Sequence, residues 1–207
     1  MKKTFLILIV ILSSSIYSSA QTNFGIKGGL NFANLAVDKD QIDDTTMKLG
    51  FTAGIFMQKE FLGLEWLMLQ PELLYTLKGA KYKFGDTDVK ANLQYLDIPV
   101  SVVARIFNSS LSVHAGAQFG FLTKVEYEYD SPLFGDDTIV DDDKDNYNKW
   151  DLGFHAGLGF NLNNLLIEAR IVRGVRNVEE DRTILSTDFS GNDSKNFSFQ
   201  LTAGLLF

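Results

Sequence analysis

The chain contains no cysteine in 207 residues. Disulfides, thiolate metal sites and cysteine-anchored lipoprotein processing are therefore excluded. Proline is scarce, with three residues, and histidine occurs only as His114 and His155. Long apolar runs are missing too. After the first twenty residues none approaches the roughly 18 that a transmembrane helix needs. A mature chain of this kind can cross a membrane only as a closed barrel, because unpaired backbone finds no hydrogen-bond partner in lipid. Basic residues are in the minority: without Lys2 and Lys3 there are 17 basic against 26 acidic residues, a net charge of −9. Nucleic acid requires basic surface and is excluded as a partner.

Aromatics and glycine are abundant instead, with 17 Phe, 7 Tyr, 2 Trp and 17 Gly. The first twenty residues read as a secretory signal peptide. Lys2 and Lys3 give a positive start, Phe5 to Leu12 form a short apolar core, and Ser18-Ser19-Ala20 places small residues before a cleavage after Ala20. The domain division is thus residues 1–20 as signal peptide and 21–207 as one domain.

Within that domain the stretch Trp150 to Leu162 sets the pattern. Trp150, Leu152, Phe154, Ala156, Leu158, Phe160 and Leu162 form one apolar row, alternating with Asp151, Gly153, His155, Gly157, Gly159 and Asn161. Period two is the signature of a strand with one apolar and one polar face. No register near 3.6 fits. Seven more segments repeat it: Phe24 to Asn34, Leu49 to Glu60, Leu67 to Lys78, Tyr95 to Ile106, Leu111 to Tyr129, Leu165 to Arg176 and Phe197 to Phe207. Pro71 and Pro99 fall inside two of them; Pro71 predicts a local bulge or bend, because proline lacks the amide donor a ladder needs. Asn163-Asn164 is a turn pair suited to positive φ.

Each segment reaches the roughly 9–11 residues of a tilted membrane strand, and the connections alternate long, short, long, short. Long polar connections follow the first, third, fifth and seventh segments. Short turns with longer external loops are the pattern of outer-membrane barrels, and a soluble sandwich or lipocalin-like barrel, the competing fold, has no reason to sort its loops so. The expected fold is an all-β, eight-stranded antiparallel up-and-down transmembrane barrel. The terminal Phe207 is the aromatic end that barrel-assembly machinery reads during biogenesis.

An eight-stranded barrel is just wide enough for its own side chains to fill it. The inward rows carry Lys27, Glu72, Asp97, Arg105, His114, Gln118, Asp151, His155, Glu168 and Arg170, together with Lys78, Lys124 and Glu126. Glu72, Asp97, Gln118, His155 and Arg170 are expected at similar depth. Opposite charges in a narrow, dry lumen pair, since an unpaired one costs several kcal/mol. An ionic plug is the expected outcome, and a thin aqueous path lined by the same groups is the alternative. Glycines at 50, 54, 116, 120, 153, 157 and 159 leave room for either.

Catalysis is not expected. Both histidines read as lumen residues, and Ser112 beside His114 on one face is a common pairing that carries no nucleophile argument by itself. No cofactor is implied. Asp141, Asp143 and Asp145 match the first three ligand positions of a calcium loop, but Asn146 replaces the sharp-turn glycine and Leu152 the bidentate glutamate, so an EF-hand is rejected. Loose divalent binding by Asp136, Asp137, Asp141, Asp142 and Asp143 stays open beside a solvated, self-repelling loop.

The stretches GIKGGLNFANL (25–35), LQPELLYTLKGAK (69–81), LQYLDIPVSV (93–102) and WDLGFHAGLGF (150–160) resemble the PorT-like outer-membrane β-barrel family of Gram-negative bacteria. The resemblance covers essentially the whole mature chain and implies an outer-membrane barrel with prolines at the Pro71 and Pro99 points. The function expected of the chain is a structural or interaction role in the envelope, with outer-membrane lipid around the barrel and the long acidic loops open to an envelope protein partner. A narrow porin-like channel for ions or very small solutes is the alternative.

Overall fold

A computed structural model describes residues 22–36, 46–84, 87–106, 109–131, 135–141, 148–177, 182–184, 187–189 and 195–207. The expected signal peptide lies outside these residues, as do Asp142, Asp143, Asp145 and Asn146. The described elements are all strands: β1 (Thr22–Ala36), β2 (Thr46–Phe61), β3 (Leu64–Phe84), β4 (Thr87–Arg105), β5 (Leu111–Ser131), β6 (Gly135–Asp141), β7 (Trp150–Leu162), β8 (Leu165–Asn177), β9 (Arg182–Ile184), β10 (Thr187–Phe189) and β11 (Lys195–Leu206). The order β4-β3-β2-β1-β11-β8-β7-β5, with β4 also paired to β5, closes eight antiparallel strands into a ring. β6 extends the upper part of β5, and β9 with β10 forms a separate hairpin.

Period-two patterning becomes two surfaces. On β7, Phe154 and Leu158 are 59% and 61% exposed, while His155 between them is 4% exposed and faces the interior. The same inversion runs around the ring: Phe24, Ile26, Leu49, Ile55, Ile98, Ile171 and Leu205 are exposed, whereas Lys27, Glu72, Asp97, Glu168 and Arg170 are buried. A large apolar exterior around a polar interior inverts a soluble protein and suits a lipid solvent. Aromatic contacts gather toward the long-connection end of the exterior. Phe121 and Trp150 meet edge-on with centroids 5.0 Å apart, and Phe51 and Tyr75 lie 5.8 Å apart. This is the position of an interfacial aromatic girdle.

Three expectations need correction. Pro71 causes no bulge: it pairs with Val100, and the β3–β4 register is unbroken from Leu67 to Phe84. The ladder partners simply fall silent near each proline, and the flanking strands hold the register. Register shifts sit elsewhere, and the one that bears on the lumen residues lies between Gln94 and Tyr95, where the β5 partner jumps from Lys124 to Leu122. Thr123 is the extra residue, and its hydroxyl donates to the Gln94 carbonyl at 2.9 Å. Beyond it the faces exchange, as one added residue must cause. Val125, read as outward, is buried, and Lys124 and Glu126, read as lumen residues, pair with each other at a part-exposed position. Finally, the long polar connection expected after the third segment is not a free loop. β3 and β4 continue pairing to Phe84 and Thr87.

The short turns are tight. Leu62 and Gly63 have φ of 57° and 70°, and Asn163 has φ of 52°. Left-handed backbone at these points matches the twist of the flanking strands, and Asn and Gly adopt it at little cost.

Candidate functional site

The polar interior is organised in levels along the barrel. At the short-turn end Trp66, Arg105 and Asn161 surround the mouth. Further inward, Met68 of β3, Val103 of β4, Leu166 of β8 and Phe56 of β2 form an apolar collar, each no more than 3% exposed. The Phe56 ring lies over Gly25 and Gly204; a Cβ on Gly25 would come within 2.5 Å of it.

Above the collar is a four-charge cluster. Arg170 donates to Glu72 through Nη2 at 2.6 Å and Nη1 at 3.3 Å. Its Nη2 also reaches Glu168 at 3.4 Å. Lys27 Nζ is 3.1 Å from Glu72 and in direct contact with Glu168. Gln58 donates to Gln70, which in turn donates to Glu72 at 2.8 Å and Glu168 at 3.0 Å. Two cations thus meet two anions, and the glutamine chain occupies further carboxylate lone pairs, the condition under which a buried ion cluster is tolerated.

A second cluster lies nearer the long-connection end. Lys78 Nζ is 3.1 Å from Asp97 and 3.4 Å from Asp151, and sits 4.3 Å from the centre of the Tyr95 ring. Asn196 donates to Asp151 at 2.7 Å. Leu93, Leu122 and Val125 are buried beside this level.

Between the clusters lie the two histidines. Each belongs to a His-Ala-Gly triplet, on β5 and on β7, and the strands run antiparallel. His114 therefore pairs with Gly157 and His155 with Gly116. Each ring occupies the space the opposite glycine leaves: a Cβ on Gly157 would lie 2.6 Å from His114 Nε2, and one on Gly116 2.9 Å from His155 Cε1. The ring centroids are 6.2 Å apart. His155 Nε2 is 2.7 Å from the Ser101 hydroxyl. His114 Nδ1 is 3.7 Å from Glu168, beyond a hydrogen bond. The inner glycines are thus accommodation for large neighbours rather than open space. Because Gly116 also abuts the Val100 carbonyl, Gly116→Ala is expected to destabilise the barrel by about 1–3 kcal/mol through overpacking. Urea titration of the refolded protein checks it, and an unchanged midpoint would refute the contact.

The expected site residues sort accordingly. Lys27, Glu72, Glu168 and Arg170 come together, with His114 beside them. Asp97 and Asp151 belong to the second cluster, so Asp97 does not share the pairing level of Glu72 and Arg170. Gln118 and His155 are buried between the two. Arg105 is a correction: it is exposed at the mouth and joins neither cluster, because it sits at the last inward position of β4, beyond the collar. Gln70 and Asn196 were not singled out in the sequence, since an uncharged amide on an inward row does not announce which carboxylate it will meet. Asp141 ends β6. Among the described residues no group of three metal-ligating side chains is assembled.

An apolar exterior, a charged interior closed on itself and girdle aromatics define an integral outer-membrane β-barrel protein. The chain belongs to the outer membrane protein beta-barrel domain family, whose model matches residues 18–180; it resides in the outer membrane of a Gram-negative bacterium. No curated protein matches it. Among solved structures it is similar to Ail, the attachment invasion locus protein of Yersinia pestis, at 18% identity and TM-score 0.49, covering 90% of this chain and 99% of that one. Neisserial surface protein A is similar at 14% identity and TM-score 0.47, covering 89% and 97%. The outer membrane enzyme PagL also aligns, at 10% identity and TM-score 0.34, covering 89% and 99%. Likenesses this distant carry no functional argument, and the barrel architecture by itself does not decide for or against catalysis.

Proposed function

We propose that this protein is a closed barrel with a structural or interaction role in the cell envelope, and that within its family it is PorT-like, on the four sequence stretches that carry that resemblance. The observation behind the closed lumen is that Lys27, Arg170 and Lys78 each touch two carboxylates inside the barrel. In the lower cluster two cations and two anions neutralise one another at contact distance, and in the upper one Lys78 is shared by two aspartates, the second of which also accepts from Asn196, so these side chains are held by one another. The acidic outer connections are then the surface offered to an envelope protein partner, and Phe207 is the element for the assembly machinery.

A non-catalytic role is part of the reading. Ser101 and His155 form the nearest thing to a nucleophile and base, yet both are buried and His155 Nδ1 has no acid to orient it. A nucleophile needs a base, an orienting group and an accessible substrate position.

The narrow-channel reading draws on one observation. Among the described residues twelve buried side-chain polar atoms find no hydrogen-bond partner, among them His155 Nδ1, Gln118 Oε1 and both side-chain polar atoms of Gln200. Buried groups of this kind are commonly satisfied by water. Planar-bilayer recording of the refolded mature barrel decides between the two. The closed barrel stays at baseline from low to high salt, and discrete conductance steps would establish the channel instead.

A further inference from the structure

The mouth at the short-turn end holds an open pocket. It has a volume of about 470 Å³ and is lined by Glu65, Trp66, Arg105, Ser109, Ser110 and Asn161. Two residues further in on β3 and β4, Met68 and Val103 of the apolar collar are buried and pair with each other. Four barrel features converge there: the starts of β3 and β5, the end of β4 and the end of β7. Short turns mark the periplasmic side of an outer-membrane barrel, so the pocket opens toward the cell wall.

The lining chemistry is specific in kind. Trp66, two residues before the buried Met68 on β3, is 52% exposed and lines this pocket. An exposed indole in a pocket wall is a flat apolar platform for a ligand. Arg105 is exposed beside it on the next strand and supplies a fork of donors for a carboxylate. Glu65, Asn161 and the two serines offer acceptors and donors for hydroxyl and amide groups, and Asn161 Oδ1 is buried with no protein partner. The volume is within the range of small-ligand sites, and an apolar wall with a few convergent polar groups is their usual composition.

We propose that this mouth binds a sugar bearing a carboxylate, such as an acidic amino-sugar unit of the cell-wall glycan. The sugar ring stacks on Trp66, its carboxylate meets Arg105, and its amide or hydroxyl groups reach Asn161 and the serines. The site uses none of the paired lumen charges, so it is independent of whether the lumen conducts.

The test uses the refolded mature barrel in nanodiscs. Trp66 and Trp150 are the only indoles, so a Trp150→Phe background leaves Trp66 as the sole fluorescent reporter. The probes are the disaccharide of N-acetylglucosamine and N-acetylmuramic acid, the neutral disaccharide diacetylchitobiose, and inorganic phosphate. The expected result is a saturable Trp66 response to the acidic disaccharide, about fivefold weaker for the neutral one, the factor one exposed charge-assisted contact supplies. Arg105→Gln removes that preference, and Trp66→Ala abolishes binding by calorimetry; both positions are exposed. No saturable response, an equal response to phosphate, or an Arg105→Gln variant that keeps its preference would each overturn the proposal. A conducting barrel that binds the sugar overturns the closed-barrel reading alone, and a silent barrel that does not bind overturns the site alone.

Discussion

Glu72→Gln is expected to cost the refolded barrel about 3–5 kcal/mol of unfolding free energy, the size of effect seen when one partner of a buried ion cluster is removed. Glu72 accepts from Arg170 at two points, touches Lys27 at 3.1 Å and accepts from Gln70. The amide keeps the shape but leaves two cations facing Glu168 alone. Adding Arg170→Gln restores the balance, so the double variant should be less destabilised than the sum of the singles, a coupling that marks direct contact. Glu126→Gln is the control. Its partner Lys124 is 44% exposed at the side chain, and removing a surface pair costs about 0–1 kcal/mol. Urea unfolding followed by gel mobility and circular dichroism measures all four. Equal midpoints for Glu72→Gln and wild type would show that the cluster does not hold the barrel together.

The second large effect concerns the outer face. Ile171 is 52% exposed near the middle of β8, and Val175 is 47% exposed four residues further toward the long-connection rim. In a soluble barrel arginine at either site would be nearly neutral. In a bilayer Ile171→Arg should cost about 2–4 kcal/mol and Val175→Arg about 0–1, because the penalty falls with distance from the midplane. Arg173, exposed between them, shows that this part of β8 already admits a cation, whose long stem can reach the interface. Folding into liposomes at graded urea separates the two variants. Equal costs at both positions would place the strand at a different depth.

Which residues face inward was legible residue by residue. Side chains alternate strictly along a strand, so alternation alone assigns Lys27, Glu72, Asp97, His114, Gln118, Asp151, His155, Glu168 and Arg170 to the interior. The bounds of β7 are those of the stretch Trp150 to Leu162, where a turn pair follows immediately and polar composition ends the apolar row. The long and short connections sorted the two ends of the barrel. The phase failed at one place, Thr123, because a bulge is an added residue with no composition of its own. It also failed to foresee β-pairing from Ala80 to Phe84. Those residues are polar, and two strands that leave the membrane together keep their ladder whatever their side chains face.

What the sequence by itself determined was therefore a set of faces: an apolar exterior, a charged interior and the side on which the chain turns tightly. Partnership inside was decided only by closure of the ring. Glu72 and Arg170 are 98 residues apart and meet because β3 and β8 face each other across a lumen only as wide as their side chains. Lys78 likewise reaches Asp151 of β7 across the lumen, while Asp97 comes from the adjacent β4. Closure also set the depth at which the collar falls, leaving Arg105 and Trp66 outside it at the mouth. Alternation records which way a side chain points, while the stagger between eight strands determines what it meets there.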